Sequence, residues 1–346
     1  MKKILSILIP TYNETPDMIT RLLDSVKLQQ NVDFDKIEVL LEHDGNEGTF
    51  DNSLFEGYPF HIEYEVMEKR GISARRNSLM RKAHGEYIQF ADADDMWLNN
   101  IALSLTFREI ENGGFDALWG NFLVEVIRPD NGKLDYHEQG VGGGIFVHNK
   151  VYKKSFMINN KIYFGENYPQ RDVHEEFSVQ TMCRTLSQNI KVNPMPMYLW
   201  KHNPKSVSRT SPYYIQETFK YLLMNSSYLA EKMYKLGKLQ ELREIVYSFI
   251  CDCYYSLCSD KWLEECNKDY RSELEAYFKF YLDHYEKFAN ELTPDKKKQI
   301  EAGQKIQHTQ MDGTTFESYT FQQWMKHIKE EVEPKEFVIK NKNSWE

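Results

Sequence analysis

Little in this sequence speaks for an oxidising or a membrane-spanning setting. The cysteines Cys183, Cys251, Cys253, Cys258 and Cys266 are odd in number and include no CxxC pair. That argues against a disulfide frame or a zinc site and leaves reduced thiols in core or surface positions. No apolar run approaches the ~20 residues of a membrane span. Lys2-Lys3 followed by Ile4-Leu5-Ser6-Ile7-Leu8-Ile9 imitates a secretion signal, but the run stops at Pro10. A signal core needs about 7–15 apolar residues, so a first β-strand is the better reading. A basic excess is missing too. The net charge of −9 leaves no overall nucleic-acid footprint, although local basic clusters stay open. No internal repeat is visible.

What is present is a chain of 346 residues, long enough for roughly two domains at ~150 residues each. Over the first 127 residues, strand patterns at Ile4–Ile9, Ile37–Glu42, His61–Val66 and Tyr87–Ala91 alternate with helical patterns such as Met18–Leu28 and Ser73–Ala83. Such alternation predicts an α/β fold with a mostly parallel sheet covered by helices on both faces. Residues 128–148 carry Pro129-Asp130-Asn131-Gly132 and Gly142-Gly143-Gly144, the signals of a hairpin or mobile loop. A short helix at Lys150–Phe156, a longer one at Val173–Leu186 and an extended segment at Ile190–Trp200 are expected next. From Pro212, three apolar sets recur at helical spacing, beginning at Ile215, Leu239 and Leu274, and predict a small bundle. The expected organisation is a catalytic domain over 1–211, a helical bundle over 212–292, and a polar tail over 293–346 with one helix near Phe316–Val332.

The sharpest chemical feature is Ala91-Asp92-Ala93-Asp94-Asp95, directly after the strand Tyr87-Ile88-Gln89-Phe90. In open α/β sheets, ligands bind outside the carboxyl ends of strands. Crowded carboxylates there repel one another, and a hard cation shared with substrate phosphates is the natural counter-charge. The rival reading is a solvated acidic loop that caps the next helix near Asp95 or Asn99. Ile9-Pro10-Thr11-Tyr12-Asn13-Glu14 and Glu42-His43-Asp44-Gly45-Asn46 also end predicted strands. Gly71-Ile72-Ser73-Ala74-Arg75-Arg76-Asn77 opens a helix, whose free N–H groups and Arg charge suit an anion. All four features fall at one edge of one predicted sheet.

In order and spacing these segments resemble glycosyltransferase family 2, whose nucleotide-binding fold is the Rossmann-like GT-A type. Ile9 to Glu14 resembles the family's opening, His43-Asp44-Gly45-Asn46 its Asp-Asp-Gly-Ser turn, and Gly71 to Asn77 its Gly-Leu-Ser-Ala-Ala-Arg-Asn segment. Gly85 to Asp95 resembles its Gly-Glu-Tyr-Ile-x-Phe-x-Asp-x-Asp-Asp block. Asn149 to Lys154, Glu175-Glu176 in place of a Glu-Asp pair, and Leu199 to Ser208 extend the resemblance to about residue 209. The resemblance does not extend over residues 210–346.

The resemblance implies an inverting hexosyl- or pentosyltransferase that moves a sugar from a nucleotide-sugar, UDP-linked in the expected case, to an acceptor hydroxyl. Pro10, Thr11, Tyr12 and Glu14 would line the nucleotide, with Asp44 on the base edge. Arg76 would lie near the base or diphosphate, and Asp92 and Ala93 near the ribose or sugar. Asp94 would hold Mn²⁺ or Mg²⁺. His202 would complete the metal site or meet the diphosphate, with a surface or packed histidine as the rival. Glu176, or Glu175 beside it, would be the general base. Because the two are adjacent on a helix, their side chains should diverge by about 100° and only one should face the site. The Gln-x-x-Arg-Trp motif of processive polymerases is missing, which implies one sugar per encounter. A glycan or lipid-linked glycan is the acceptor class implied, in the cytoplasm or at the inner membrane surface. A hydroxymethylated base in phage DNA, handled in a host cytoplasm, is the alternative acceptor. A nucleotidyltransferase and a non-catalytic glycan- or nucleotide-binding module are the rival functions. The C-terminal helices would select the acceptor or pair two copies into a homo-oligomer.

Overall fold

The computed structural model describes residues 2–128, 130–140, 146–166, 175–206, 214–258, 268–312 and 320–336. The chain divides into two compact units, one up to Thr210 and one from Ser211.

In the first unit, β1 (Leu5–Thr11), β2 (Ile37–Asp44), β3 (His61–Met67) and β4 (Tyr87–Phe90) pair in parallel in the order β3-β2-β1-β4. β1 and β2 are buried along their whole length, as strands covered on both faces must be. Helix α1 (Pro16–Lys27) starts at a proline and buries Ile19, Leu22, Leu23 and Val26, the three-and-four spacing of one helical face. Helix α2 (Ile72–Lys82) follows Gly71, whose φ of 87° suits glycine.

Onward come β5 (Met96–Trp97), α3 (Ala102–Glu111), β6 (Ala117–Ile127), β7 (Leu134–Gln139), β8 (Lys150–Lys153), α4 (Lys154–Asn159), α5 (Glu176–Leu186) and β9 (Ile190–Trp200). The sheet continues from β4 through β8, β6 and β9 to β5, with β7 paired on β6. β5, β7 and β8 run against the other six strands, and half of the strand pairings are antiparallel; the sheet is mixed rather than mostly parallel, and the fold is the α/β type expected. β6 and β7 form the hairpin signalled by Asp130-Asn131-Gly132. Pro129, Gly142–Gly144 and Val173 lie outside the described residues.

One expectation fails here. Lys150–Lys153 is a strand, not the start of a helix, and only Lys154–Asn159 is helical. Val151 and Tyr152 are slotted between Gln89 and Ile88 of β4 and Leu118 and Ala117 of β6. Two ladders of backbone hydrogen bonds outweigh a local helical pattern that short.

The second unit holds α6 (Tyr214–Lys235), α7 (Leu239–Leu257), α8 (Lys268–Asn290), α9 (Pro294–Asp312) and α10 (Phe321–Glu331). The described cysteines, Cys183, Cys251, Cys253 and Cys258, are free and buried; Cys266 lies outside the described residues. The stretch 293–346 is not a polar tail with one helix, because α9 and α10 both belong to it. α9 has no strong apolar stripe to betray it. It docks on α7 through polar contacts, Gln304 Nε2 donating to Ser248 Oγ at 2.8 Å and Tyr247 to Glu301. α10 begins at a capping box: Thr320 Oγ1 accepts from the Gln323 amide at 3.2 Å, and Gln323 Oε1 accepts from the Thr320 amide at 2.9 Å.

Trp324 of α10 is fully buried and stacks on Phe278 of α8 with centroids 4.8 Å apart. Truncating a buried tryptophan costs about 3–5 kcal/mol. Trp324→Ala should lower the denaturant-monitored stability of the helical unit by that amount. A change below ~1 kcal/mol would mean that α10 is not part of its core.

Candidate active site

The carboxyl ends of β1, β2 and β4 lie side by side, because Thr11 pairs with His43 and Leu8 with Phe90. The polar turns that follow these strands therefore share one edge. Asp44, expected on the nucleobase, accepts the amides of Arg70 at 2.7 Å and Gly71 at 2.9 Å, so both its oxygens are engaged in fixing the loop ahead of α2. Thr11, buried beside Pro10, lies 3.0 Å from His43 Nδ1, and His43 Nε2 lies 2.7 Å from the Glu47 carbonyl. A carbonyl only accepts, so Nε2 donates to it, and the Thr11 hydroxyl also lies 3.4 Å from the Glu42 carbonyl. The Tyr12 amide donates to Glu14 Oε2 at 2.6 Å, and the Lys69 ammonium sits 4.2 Å from the centre of the Tyr12 ring.

Arg76, carried inward by the first turns of α2, has a side chain only 1% exposed. One of its nitrogens donates to Glu175, and the other lies 2.9 Å from Asp92 Oδ1 and 3.2 Å from Glu176 Oε1. Its guanidinium also lies 5.3 Å from the Phe164 ring. The nitrogens that the sequence assigns to the nucleotide are thus turned onto carboxylates. The expectation that only one of Glu175 and Glu176 faces the site is also corrected. Glu175 is the residue ahead of α5 and Glu176 its first residue, and the flat fork of one guanidinium reaches both.

The three aspartates after β4 differ in setting. Asp95 is fully buried and accepts the Lys201 amide at 2.9 Å, so the cluster is not the exposed acidic loop of the rival reading. Asp94 is half-buried and accepts from Asn203 Nδ2 at 2.8 Å, while its carbonyl accepts from Arg21. Asp92, its amide bonded to the Tyr198 hydroxyl at 3.0 Å, faces Arg76. Ala93 between them is buried.

Among the described residues, the set whose metal-ligating atoms converge, all within 4.8 Å of one another, is Asp92, Asp95 and His148. Neither Asp94 nor His202 belongs to it. His148 Nδ1 lies 3.7 Å from Asp95 Oδ2, too far for a hydrogen bond, and neither atom has a hydrogen-bond partner among the described residues. His202 Nδ1 is likewise buried without one. The imidazole of His148 lies flat against Phe146 and Tyr198, with centroids 5.8 and 5.6 Å away. Sequence reasoning missed His148. Its one local signal is the neighbour Asn149, which adopts a φ of 49°.

Burial dominates the electrostatics of this edge. Burial pushes the Glu176 carboxyl up to about 8, with Arg76 pulling against it and Glu175 and Asp92 adding to the rise. Burial raises Glu175 as well. Glu14 is pushed up to about 7 by burial, its backbone hydrogen bonds opposing and Asp94 and Asp92 adding. Asp94 and Asp95 are both raised by burial and then by their acidic neighbours. Burial also lifts Asp92, but the charge and hydrogen bond of Arg76, together with His148, outweigh it and hold Asp92 below its ordinary value. Burial pushes His148 down to about 4, so its imidazole is neutral. Among the described residues, Glu14, Asp92, Asp94, Asp95, Glu175 and Glu176 have the titrations described above, and Arg76 bonds to three of them. A cation fits such a surplus, and the orphaned buried atoms of Asp95, His148 and His202 are of the kinds that ligate one.

Residues 6–182 match the glycosyl transferase family 2 profile. The GalNAc(5)-diNAcBac-PP-undecaprenol beta-1,3-glucosyltransferase of Campylobacter jejuni is 28% identical over 159 residues, which is 44% of this chain and 47% of that protein. The poly(ribitol-phosphate) beta-N-acetylglucosaminyltransferase TarP of Staphylococcus aureus is 22% identical over 204 residues, 56% of this chain and 61% of that protein. The chain thus spans about half the length of these curated relatives. The crystal structure of S. aureus TarS 1–349 in complex with UDP superposes with a TM-score of 0.51 at 17% identity, covering 88% of this chain and 92% of that one, a likeness of fold. With the profile spanning just over half of its length and the strand-end carboxylates in place, the chain belongs to glycosyl transferase family 2.

Proposed function

We propose that this protein transfers a sugar from a nucleotide-sugar donor to an acceptor hydroxyl by a single inverting displacement. The observation that carries the reading is the buried Arg76 fork, which gathers Asp92, Glu175 and Glu176 beside Asp94 at the carboxyl edge of the sheet. The donor is UDP-linked in this reading, as in the complex of TarS with UDP-GlcNAc. The acceptor is a glycan or lipid-linked glycan in this reading; the Campylobacter relative is named for a PP-undecaprenol-linked acceptor and the Staphylococcus one for poly(ribitol-phosphate). The cytoplasm, or the inner face of a membrane, is the proposed place of action.

Each residue has a task. Glu176, at the first turn of α5, takes the proton of the acceptor hydroxyl. The helix N-terminus and Arg76 favour its ionised form, against burial. Arg76 holds Glu176 and Asp92 in fixed relation. Tyr12, Glu14 and the α2 entrance bind and orient the nucleotide. Mn²⁺ or Mg²⁺ would be held by Asp94, which is more accessible than fully buried Asp95, with His202, the residue before the Asn203 that bonds Asp94, as the second candidate ligand. Bound there, the ion offsets the charge gathering on the leaving diphosphate. A nucleotidyltransferase is the weaker reading, since no observation at the site favours attack on the α-phosphate.

Incubating the full chain with UDP-sugars and Mn²⁺ tests the reading. Free sugar and UDP should appear slowly without acceptor, and Asp94→Ala or excess EDTA should abolish their release while the melting transition stays put. Pyrophosphate release would mark a nucleotidyltransferase. Full activity in EDTA would remove the metal from the account.

The base is tested separately. Glu176→Gln should keep near-normal nucleotide affinity but lose at least ~100-fold in turnover, the scale of general-base catalysis, and Glu175→Gln should lose much less. A base must be ionised to act, and burial raises Glu176 to about 8. The wild-type kcat/KM should therefore climb as pH rises towards and through 8, and the Gln variant should lose that limb. If the two variants exchange behaviours, Glu175 is the base.

A further inference from the structure

We propose that Lys150 is a second positioning residue for the carboxylate that activates the acceptor, holding Glu176 from the side of β8 while Arg76 holds it from the side of α2. The inference rests on the reading above, in which Glu176 is the base, and deepens it by naming a further charge that fixes that base in place.

A lysine is costly where Lys150 stands. It opens β8, a strand paired with β4 on one side and with β6 on the other, and it is only 2% exposed. An ammonium taken so far out of water needs partners from the protein. It donates to the Phe146 carbonyl and lies 5.4 Å from the centre of the Trp119 ring. Both are electron-rich, but neither is a full negative charge.

The fold brings Glu176 to this ammonium. Residues two apart on a strand share a face, so Lys150 and Tyr152 point to the same side of the sheet. Residues four apart on a helix also share a face, so Glu176 and Gln180 lie along one side of α5. Gln180 Nε2 donates to the Tyr152 hydroxyl at 2.6 Å. Two strand steps cover about 6.6 Å and four helix steps about 6 Å, so Glu176 falls one such step from Tyr152. The neighbouring strand fixes the direction of that step. β8 runs antiparallel to β4, with Gln89 opposite Val151, which sets the Lys150 end of β8 beside the carboxyl end of β4. Asp92 follows at that end, and Arg76 spans Asp92 and Glu176 there.

The electrostatics agree with this placement. Burial dominates both groups; against it, the charge of Glu176 raises the Lys150 amine and the charge of Lys150 lowers the Glu176 carboxyl. The other charges acting on the pair are Arg76, Glu175 and Asp92 around Glu176, and Arg184 beside Lys150, its guanidinium 5.4 Å from the same Trp119 ring. A carboxylate set between a guanidinium and an ammonium is held in one place in its proton-accepting form.

Lys150→Met keeps the length of the side chain and removes its charge. The variant should retain near-normal UDP affinity while turnover falls at least about tenfold. In a chain already carrying Glu176→Gln, the same substitution should change turnover less than about threefold, because the group it positions is gone. The cycle is also read in folding stability, which needs no turnover. There the unfolding constant of the double variant should depart at least about fivefold from the product of the single effects, towards the more stable chain. If Glu176→Gln turns over like the wild type while the stabilities are coupled in this way, the base reading fails and the pairing of Lys150 with Glu176 stands. Additive stabilities, or equal losses of turnover in both backgrounds, would overturn the proposal, since Lys150 would then only support Phe146. So would a Lys150→Met chain whose lost activity is accounted for by lost UDP affinity.

Discussion

The guanidinium of Arg76 joins two parts of the chain that share no strand ladder: Asp92 at the end of β4, and Glu175 with Glu176 at the start of α5. Taking these charges out of water is expensive, and their mutual attraction repays it only when the geometry is good. The fork provides that geometry, one flat donor group set among three carboxylates. Removing it would leave buried acids unpaired, a change of about 3–5 kcal/mol for comparable buried pairs. Asp92 and the proposed base thus depend on one side chain.

The same crowding explains why the site asks for further positive charge. Arg76 depresses Asp92, but burial still raises Asp94, Asp95, Glu14 and Glu176. A site poised in this way suits a reaction that brings in a cation with a diphosphate and then needs one carboxylate to accept a proton. Groups with strongly perturbed ionisation gather at functional clefts for that reason.

Much of this edge is legible in the sequence. β1, β2 and β4 are short apolar runs, each broken by a polar turn, and a parallel sheet brings those turns to one edge. Local pattern carries the rest less well. Lys150–Lys153 reads as helix until β4 and β6 are known to flank it. Arg76 reads as a nucleotide contact, because nothing near it in sequence reveals acids that arrive 16 and 99 positions later. His148 is surrounded by rings from β6, β9 and the chain before β8, an assembly visible only after folding. α9 hides because polar contacts, not an apolar stripe, dock it.

The most direct measurement is the turnover of Arg76→Lys, read beside its nucleotide affinity and its melting curve. Lysine keeps the charge but offers a single point where arginine offers a fork, so it cannot hold three carboxylates in register. The account predicts a folded protein that still binds UDP, with turnover reduced at least ~100-fold, the scale of a misplaced catalytic group. A folded Arg76→Lys chain with near-wild-type turnover would contradict it.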